Sequence, residues 1–155
     1  MFAVLLVSLA ALLLVQASRA NAAARSQWLA RAHAVRLGAE LAEWARRGGH
    51  HDLGMPLAQA LEASALPTYA RDCHDPAPAC DPKQAAWHYL SHWRARLRDA
   101  VAEARFVVCD DRPPETTAAD WACNATGMTQ VLKIGRAGQQ AGNRPSTIID
   151  LGVAP

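Results

Sequence analysis

Two histidines one helical turn apart, His88 and His92, are the residues of this 155-residue chain that most directly invite a chemical reading. An i, i+4 pair is the spacing of two metal ligands on one helix face, but the stretch reads His-Tyr-Leu-Ser-His and lacks the glutamate of a zinc hydrolase. Both fall outside the apolar stripe of their segment, where side chains are ordinarily solvated. His50 and His51 follow Gly48 and Gly49 and belong to a loop. Asp110, Asp111 and Asp120 are carboxylates that could divide acid and base work, yet Arg112 and Pro113 beside them mark a solvated turn. Asn124-Ala125-Thr126 matches the short N-glycosylation pattern. No Ser/His/Asp order, phosphate loop or nucleophilic cysteine stands out. No catalytic, cofactor-binding or metal-binding residue is assigned, and the expectation is a protein that is not an enzyme.

The four cysteines, Cys73, Cys80, Cys109 and Cys123, contain no CxxC pair. An even number in the polar, proline-rich half is the pattern of two disulfides formed in an oxidising compartment. Three pairings are possible. Cys73–Cys80 and Cys109–Cys123 are favoured because each brackets a local loop rich in turn residues. "CHDPAPAC" is stiffened by Pro76 and Pro78. Closing "CDDRPPETTAADWAC" is worth roughly 3 kcal/mol in the chain-entropy model. The rival is a zinc site of these thiolates with His74, His50 or His51, for which close-paired ligand spacing is missing.

The elements that would carry these groups begin with an apolar run, Met1 to Val15, broken only by Ser8 and free of charge until Arg19. As a helix it reaches only about 22 Å, short of the roughly 30 Å hydrocarbon core. No basic residue precedes it as in a secretory signal, although "ASRANA" resembles a cleavage site. From Ala17 to Arg47 there is no proline and one glycine, Gly38, amid many alanines and arginines. Ala30, Ala34, Leu37, Leu41 and Trp44 recur at spacings of 4, 3, 4 and 3, one face of an amphipathic helix. Gly48 and Gly49 then stop it. The simplest structure is one continuous rod of about 47 residues, near 70 Å long, apolar all round in its first third and on one side thereafter.

Further along, "MPLAQALEASAL" predicts a short helix. "CDPKQAAWHYLSHWRARLRDAVAEA" predicts a longer one over 82–103, with Asp81 as N-cap, Pro82 in first position and Gln84 completing a capping box. Ala86, Leu90, Trp93, Leu97 and Val101 form its buried stripe. Strand signals come only afterwards, in "RFVVC" (105–109), "MTQVLKIG" (128–135) and "STIIDLGV" (146–153). Helices first and strands later is the order of an α+β domain, with an antiparallel sheet lying on a helix. The formal net charge of +2 makes no case for nucleic acid, and the five tryptophans do not interleave with the arginines as in a groove binder.

In this order the motifs resemble the type IV pilus modification protein PilV group of minor pilins. The matching stretches are "LAALLLVQASRANAAARSQWLARAHAVRLGAELAEWARRG", "CDPKQAAWHYLSHWRARLRDAVAEARFVVCDD" and "WACNATGMTQVLKIGR". The resemblance implies a long N-terminal helix packed through Leu37, Leu41 and Trp44 on a sheet of three to four strands, with an additional helix and disulfide-closed loops. It divides the chain into a membrane and pilus-core part, 1–16, and a periplasmic head, 17–155. The head comprises helix 17–47, loops 48–80, helix 82–103 and sheet 105–153. Val4, Leu5, Leu9, Leu12 and Leu13 are then assembly contacts. The implied partners are other minor pilins, the major pilin and inner-membrane lipid before assembly, in a hetero-oligomer at a pilus tip or priming complex on the cell surface. Departures are plain: the Phe-Thr-Leu-Glu-like start and its glutamate are absent, "AEARF" replaces a Pro-Gly turn, and Gly135-Arg136 stands where an aromatic is usual. The missing start leads us to expect a chain N-terminally truncated relative to the family, through a start codon assigned too late or a cut at the N-terminus. Two alternatives remain open: a secreted or membrane-tethered periplasmic binding domain, and a type II secretion minor pseudopilin.

Overall fold

The computed structural model describes residues 2–63, 73, 80–111, 121–123, 129–136, 145 and 147–153, with side chains from residue 7 onward. The uninterrupted run of helix formers makes a single helix, α1, over Phe2–Arg46. Gly48 ends it in the left-handed conformation (φ 87°), and its N–H donates to Ala45 O at 2.9 Å. Glu43 binds Arg46 and Arg47 in the last turn, and the Arg47 hydrogen bond, ahead of that to Arg46, holds its carboxyl below the ordinary carboxylate range.

The region 48–80 contains the expected short helix and, ahead of it, a turn of 3-10 helix that the loop expectation did not include. A 3-10 turn, Gly49–Leu53, is followed by α2, Leu57–Glu62, which opens behind Pro56. Leu53, Leu57, Ala60 and Leu61 are buried, so this segment acts as a lid on the core.

The longer helix, α3, spans Pro82–Ala100 and has the expected cap. Asp81 Oδ1 accepts from Gln84 N at 2.7 Å, and Gln84 Oε1 accepts from Asp81 N at 3.2 Å. It stops three residues short of the predicted 103 because Val101 is already extended (φ −125°, ψ 101°). Glu103 then takes φ 53°, a left-handed turn in a non-glycine residue, where the pilin pattern would place Pro-Gly.

Three antiparallel strands follow: β1 Ala104–Asp111, β2 Thr129–Arg136 and β3 Thr147–Asp150, in spatial order β1-β2-β3. Cys109 faces Val131 and Leu132 faces Ile149 in the register. Past Asp150 the chain still follows β2, through Leu151 N to Gln130 O and Gln130 N to Val153 O. The result is the α+β, pilin-like arrangement, with a long N-terminal helix on a three-stranded antiparallel sheet, an extra helix and two disulfides.

The core lies where α1, α3 and one face of the sheet meet. Ala34, Leu37, Leu41 and Ala45 of α1 are buried with Leu90, Trp93 and Leu97 of α3 and Val108, Leu132 and Ile134 of the sheet. Burying a side chain of the leucine or valine class contributes about 1.5–3 kcal/mol, so this three-way junction dominates the stability of the head. Gly38 is the point of closest approach between α1 and the sheet. A β-carbon there would run into Ile149 Cδ1, so glycine lets the helix sit this near without displacing that side-chain tip.

On the opposite face of the sheet lie residues 121–123. Cys109 and Cys123 are bridged, and Trp121 is buried beneath the guanidinium of Arg105, 4.5 Å from its ring centre. Residues 130–135 of β2 are therefore buried on both faces.

Candidate functional site

The apolar half of α1 is the most conspicuous surface in the structure. The core takes up α1 only from Ala34, with half-buried Ala30 packed at its margin, and Ala24, Gln27 and Trp28 border the head at a groove with Val101 and Arg136, so the rod from Phe2 to Ala23 extends beyond the head by about 33 Å. Leu9, Leu12 and Leu13 are 57 %, 60 % and 59 % exposed, and Val7, Leu14 and Val15 are open around the same rod. Val4 and Leu5 lie on its helical backbone, and their side chains fall outside the described residues. By length and composition this helix can cross a membrane, and none of its apolar window is covered by the head. Isolated leucines at a surface are ordinary, but a rod apolar on every side has to be covered by lipid or protein.

The rod is fixed to the head through three side chains of α3. The indole of Trp93, fully buried, donates from Nε1 to Leu37 O at 2.8 Å. The Tyr89 hydroxyl donates to Glu40 O at 3.2 Å. Arg96 holds the Glu40 carboxylate through both terminal nitrogens, at 2.7 and 3.1 Å, which keeps the guanidinium pKa above its usual value. The Tyr89 phenol is pushed up to about 12, first by burial and second by the Glu40 charge. Leu37 and Leu41 are buried at the junction, while Trp44 stacks on Tyr89 with ring centres 4.6 Å apart. Trp44 thus makes a helix–helix contact with α3, and Gly38 marks the close contact with the sheet.

Both cysteine pairs, Cys73–Cys80 and Cys109–Cys123, are disulfides, so their thiolates are not available to zinc. Two bridges are characteristic of a protein matured outside the reducing cytoplasm. His88 and His92 lie edge to face, 4.7 Å between ring centres, in a groove of about 480 Å³ with Glu40, Tyr89 and Arg96. The His50 ring nitrogen Nδ1 lies 2.8 Å from Ala45 O, and its ring neighbours that of His51. Among the described residues no three His, Cys, Asp or Glu side chains gather as a metal site. Asp120, His74 and Asn124-Ala125-Thr126 lie outside the described residues.

Asp111 corrects the expectation of a solvated turn. Its side chain is fully buried on the outer face of the sheet, with Oδ2 2.6 Å from Nζ of Lys133, itself 1 % exposed. The same ammonium donates to Ala122 O, next to Cys123, and so pins the disulfide loop to β2. The sequence reading missed Lys133 because nothing local distinguishes a buried lysine; only alternation along β2, which puts it opposite Val107, could have pointed to it.

A second groove, of about 320 Å³, opens where the rod leaves the head, between Trp28 and Arg31 of α1 and Val101 and Arg136. Trp28, in its wall, is 68 % exposed. No protein family model, curated protein or solved structure matches the chain.

Proposed function

We propose that the chain is a minor pilin, a structural subunit of a type IV pilus tip or priming complex, and not an enzyme. The observation that carries this reading is the uncovered apolar rod, which continues without a break into the helix at the centre of the head's core. Such a helix is stable in lipid because its backbone is hydrogen-bonded internally, and equally stable in a sheath of similar helices. Ala3, Ala10 and Ala11 permit close approach of helix to helix. Leu9, Leu12 and Leu13, with Val4 and Leu5, are the proposed contacts to other minor pilins and the major pilin. The subunit would wait in the inner membrane with its head in the periplasm before entering the fibre.

The test is the mass of the chain recovered from membranes and from sheared surface fibres, with a photo-crosslinking residue at Leu9 or Leu13. A rod retained intact and crosslinked to other small pilin-like subunits is expected. Loss of the first twenty or so residues would exclude the assembly role and favour a secreted binding domain. Retention with no crosslink in fibres would leave a membrane-tethered periplasmic domain.

A further inference from the structure

The arginines of α1, together with Arg47 just past its end, fall into two groups with different surroundings. Those at the head end are matched by carboxylates: Arg46 and Arg47 bind Glu43. Those nearer the apolar run, Arg19, Arg25, Arg31 and Arg36, are exposed and have no ion pair among the described residues, and the first acidic residue in the sequence is Glu40. Four unmatched cations on a stretch without a single carboxylate call for an anionic partner.

Their distance from the apolar run says which partner. At 1.5 Å per residue, Arg19 lies about 6 Å beyond Val15 and Arg25 about 15 Å, while Arg31 and Arg36 lie about 24 and 32 Å away. The polar layer on each side of a hydrocarbon core is about 5–7 Å deep, and electrostatic attraction fades over about 8 Å beyond it. Helical side chains lean toward the N-terminus, which here is toward the apolar run. Arg19 therefore reaches the phosphate layer directly, and Arg25 reaches it by extending down the rod. Their six-residue separation turns the second about 120° from the first, so the pair embraces the rod from two sides. Arg31 lines the groove beside Trp28.

We infer that Arg19 and Arg25 form a collar that binds anionic phospholipid headgroups where α1 leaves the bilayer, while Arg31 and Arg36 stand clear of the lipid. The inference rests on the membrane-anchored reading of α1. The collar would hold the unassembled subunit at a fixed depth, with its head directly above the surface.

The test uses the full chain reconstituted into vesicles of phosphatidylcholine alone and of phosphatidylcholine with roughly a third phosphatidylglycerol. Spin-labelled forms of both lipids report which one occupies the protein boundary. Association with an anionic surface strengthens by about fivefold for each nearby arginine, so the pair sets a ceiling of about 25-fold. A preference for phosphatidylglycerol of about fivefold or more is expected, weakening as salt is raised. It should vanish in Arg19→Gln/Arg25→Gln and persist in Arg31→Gln/Arg36→Gln. A preference unchanged in the first variant, or lost only in the second, overturns the collar. Resistance of the wild-type chain to alkaline carbonate extraction is measured alongside. Extraction of the chain overturns the anchor and the collar together, whereas retention without anionic preference overturns the collar alone.

Discussion

Replacing Gly38 with alanine tests the central junction, because two effects of similar size oppose each other there. Alanine is favoured over glycine in a helix by about 1 kcal/mol. Against that, the new β-carbon would lie 2.0 Å from Ile149 Cδ1, 3.3 Å from Ile149 Cγ1 and 3.4 Å from Ile134 Cδ1. Carbon atoms pack at about 3.5–4.0 Å, so the isoleucine tip must retreat by about 1.5 Å, and overpacking of this kind costs about 1–3 kcal/mol. The single variant should be destabilised by about 1 kcal/mol net. Ile149→Val removes the offending carbon and by itself costs about 0.5–1.5 kcal/mol. In the valine background Gly38→Ala should turn stabilising, because the helix preference then outweighs the remaining contacts. The measurement is a double-mutant cycle on the full chain in mild non-ionic detergent, following thermal unfolding by near-ultraviolet circular dichroism. Each kcal/mol moves the midpoint by about 4 °C for a domain of this size. Additive effects, with alanine equally harmful in both backgrounds, would refute the contact between α1 and β3.

Two further predictions address the polar anchors. Lys133→Met should cost about 3–5 kcal/mol by removing the buried cation that faces the Asp111 carboxylate, and Lys133→Met with Asp111→Leu should recover most of it in the same melting assay. Tyr89 should make the head sensitive to alkali. Its folded pKa of about 12 lies above the ordinary 10, so between these values the folded chain keeps a proton that the unfolded chain has released. Stability from this group is complete below pH 10 and falls as the pH rises toward 12. Tyr89→Phe should flatten that slope and remove the late step in tyrosinate absorbance.

Features set by local chemistry were legible in the sequence. The rod follows from an uninterrupted run of helix formers closed by Gly48, and α3 follows from Asp81, Pro82 and Gln84 in fixed positions. The disulfides were legible because each pair closes a short loop. What was not legible depends on long-range register. Asp111 reads as a turn residue beside Arg112 and Pro113 until β1 pairs with β2 and brings Lys133 to it from 22 positions away. Trp44 fits a helix-on-sheet stripe by spacing alone, and only the placement of α3 supplies Tyr89 as its stacking partner. Glu103 carries no glycine or proline signal for the left-handed turn it makes. The stalk arginines were visible as residues, but their lack of partners emerged only when Glu40 and Glu43 were seen engaged elsewhere.

The bond from Trp93 to the Leu37 carbonyl has a mechanical meaning as well as a thermodynamic one. A tug on the rod enters the head along the axis of the helix that the rest of the fold is wrapped around. The Trp93, Tyr89 and Arg96 attachments would share that load side by side, in shear, instead of giving way one after another like a peeled strand.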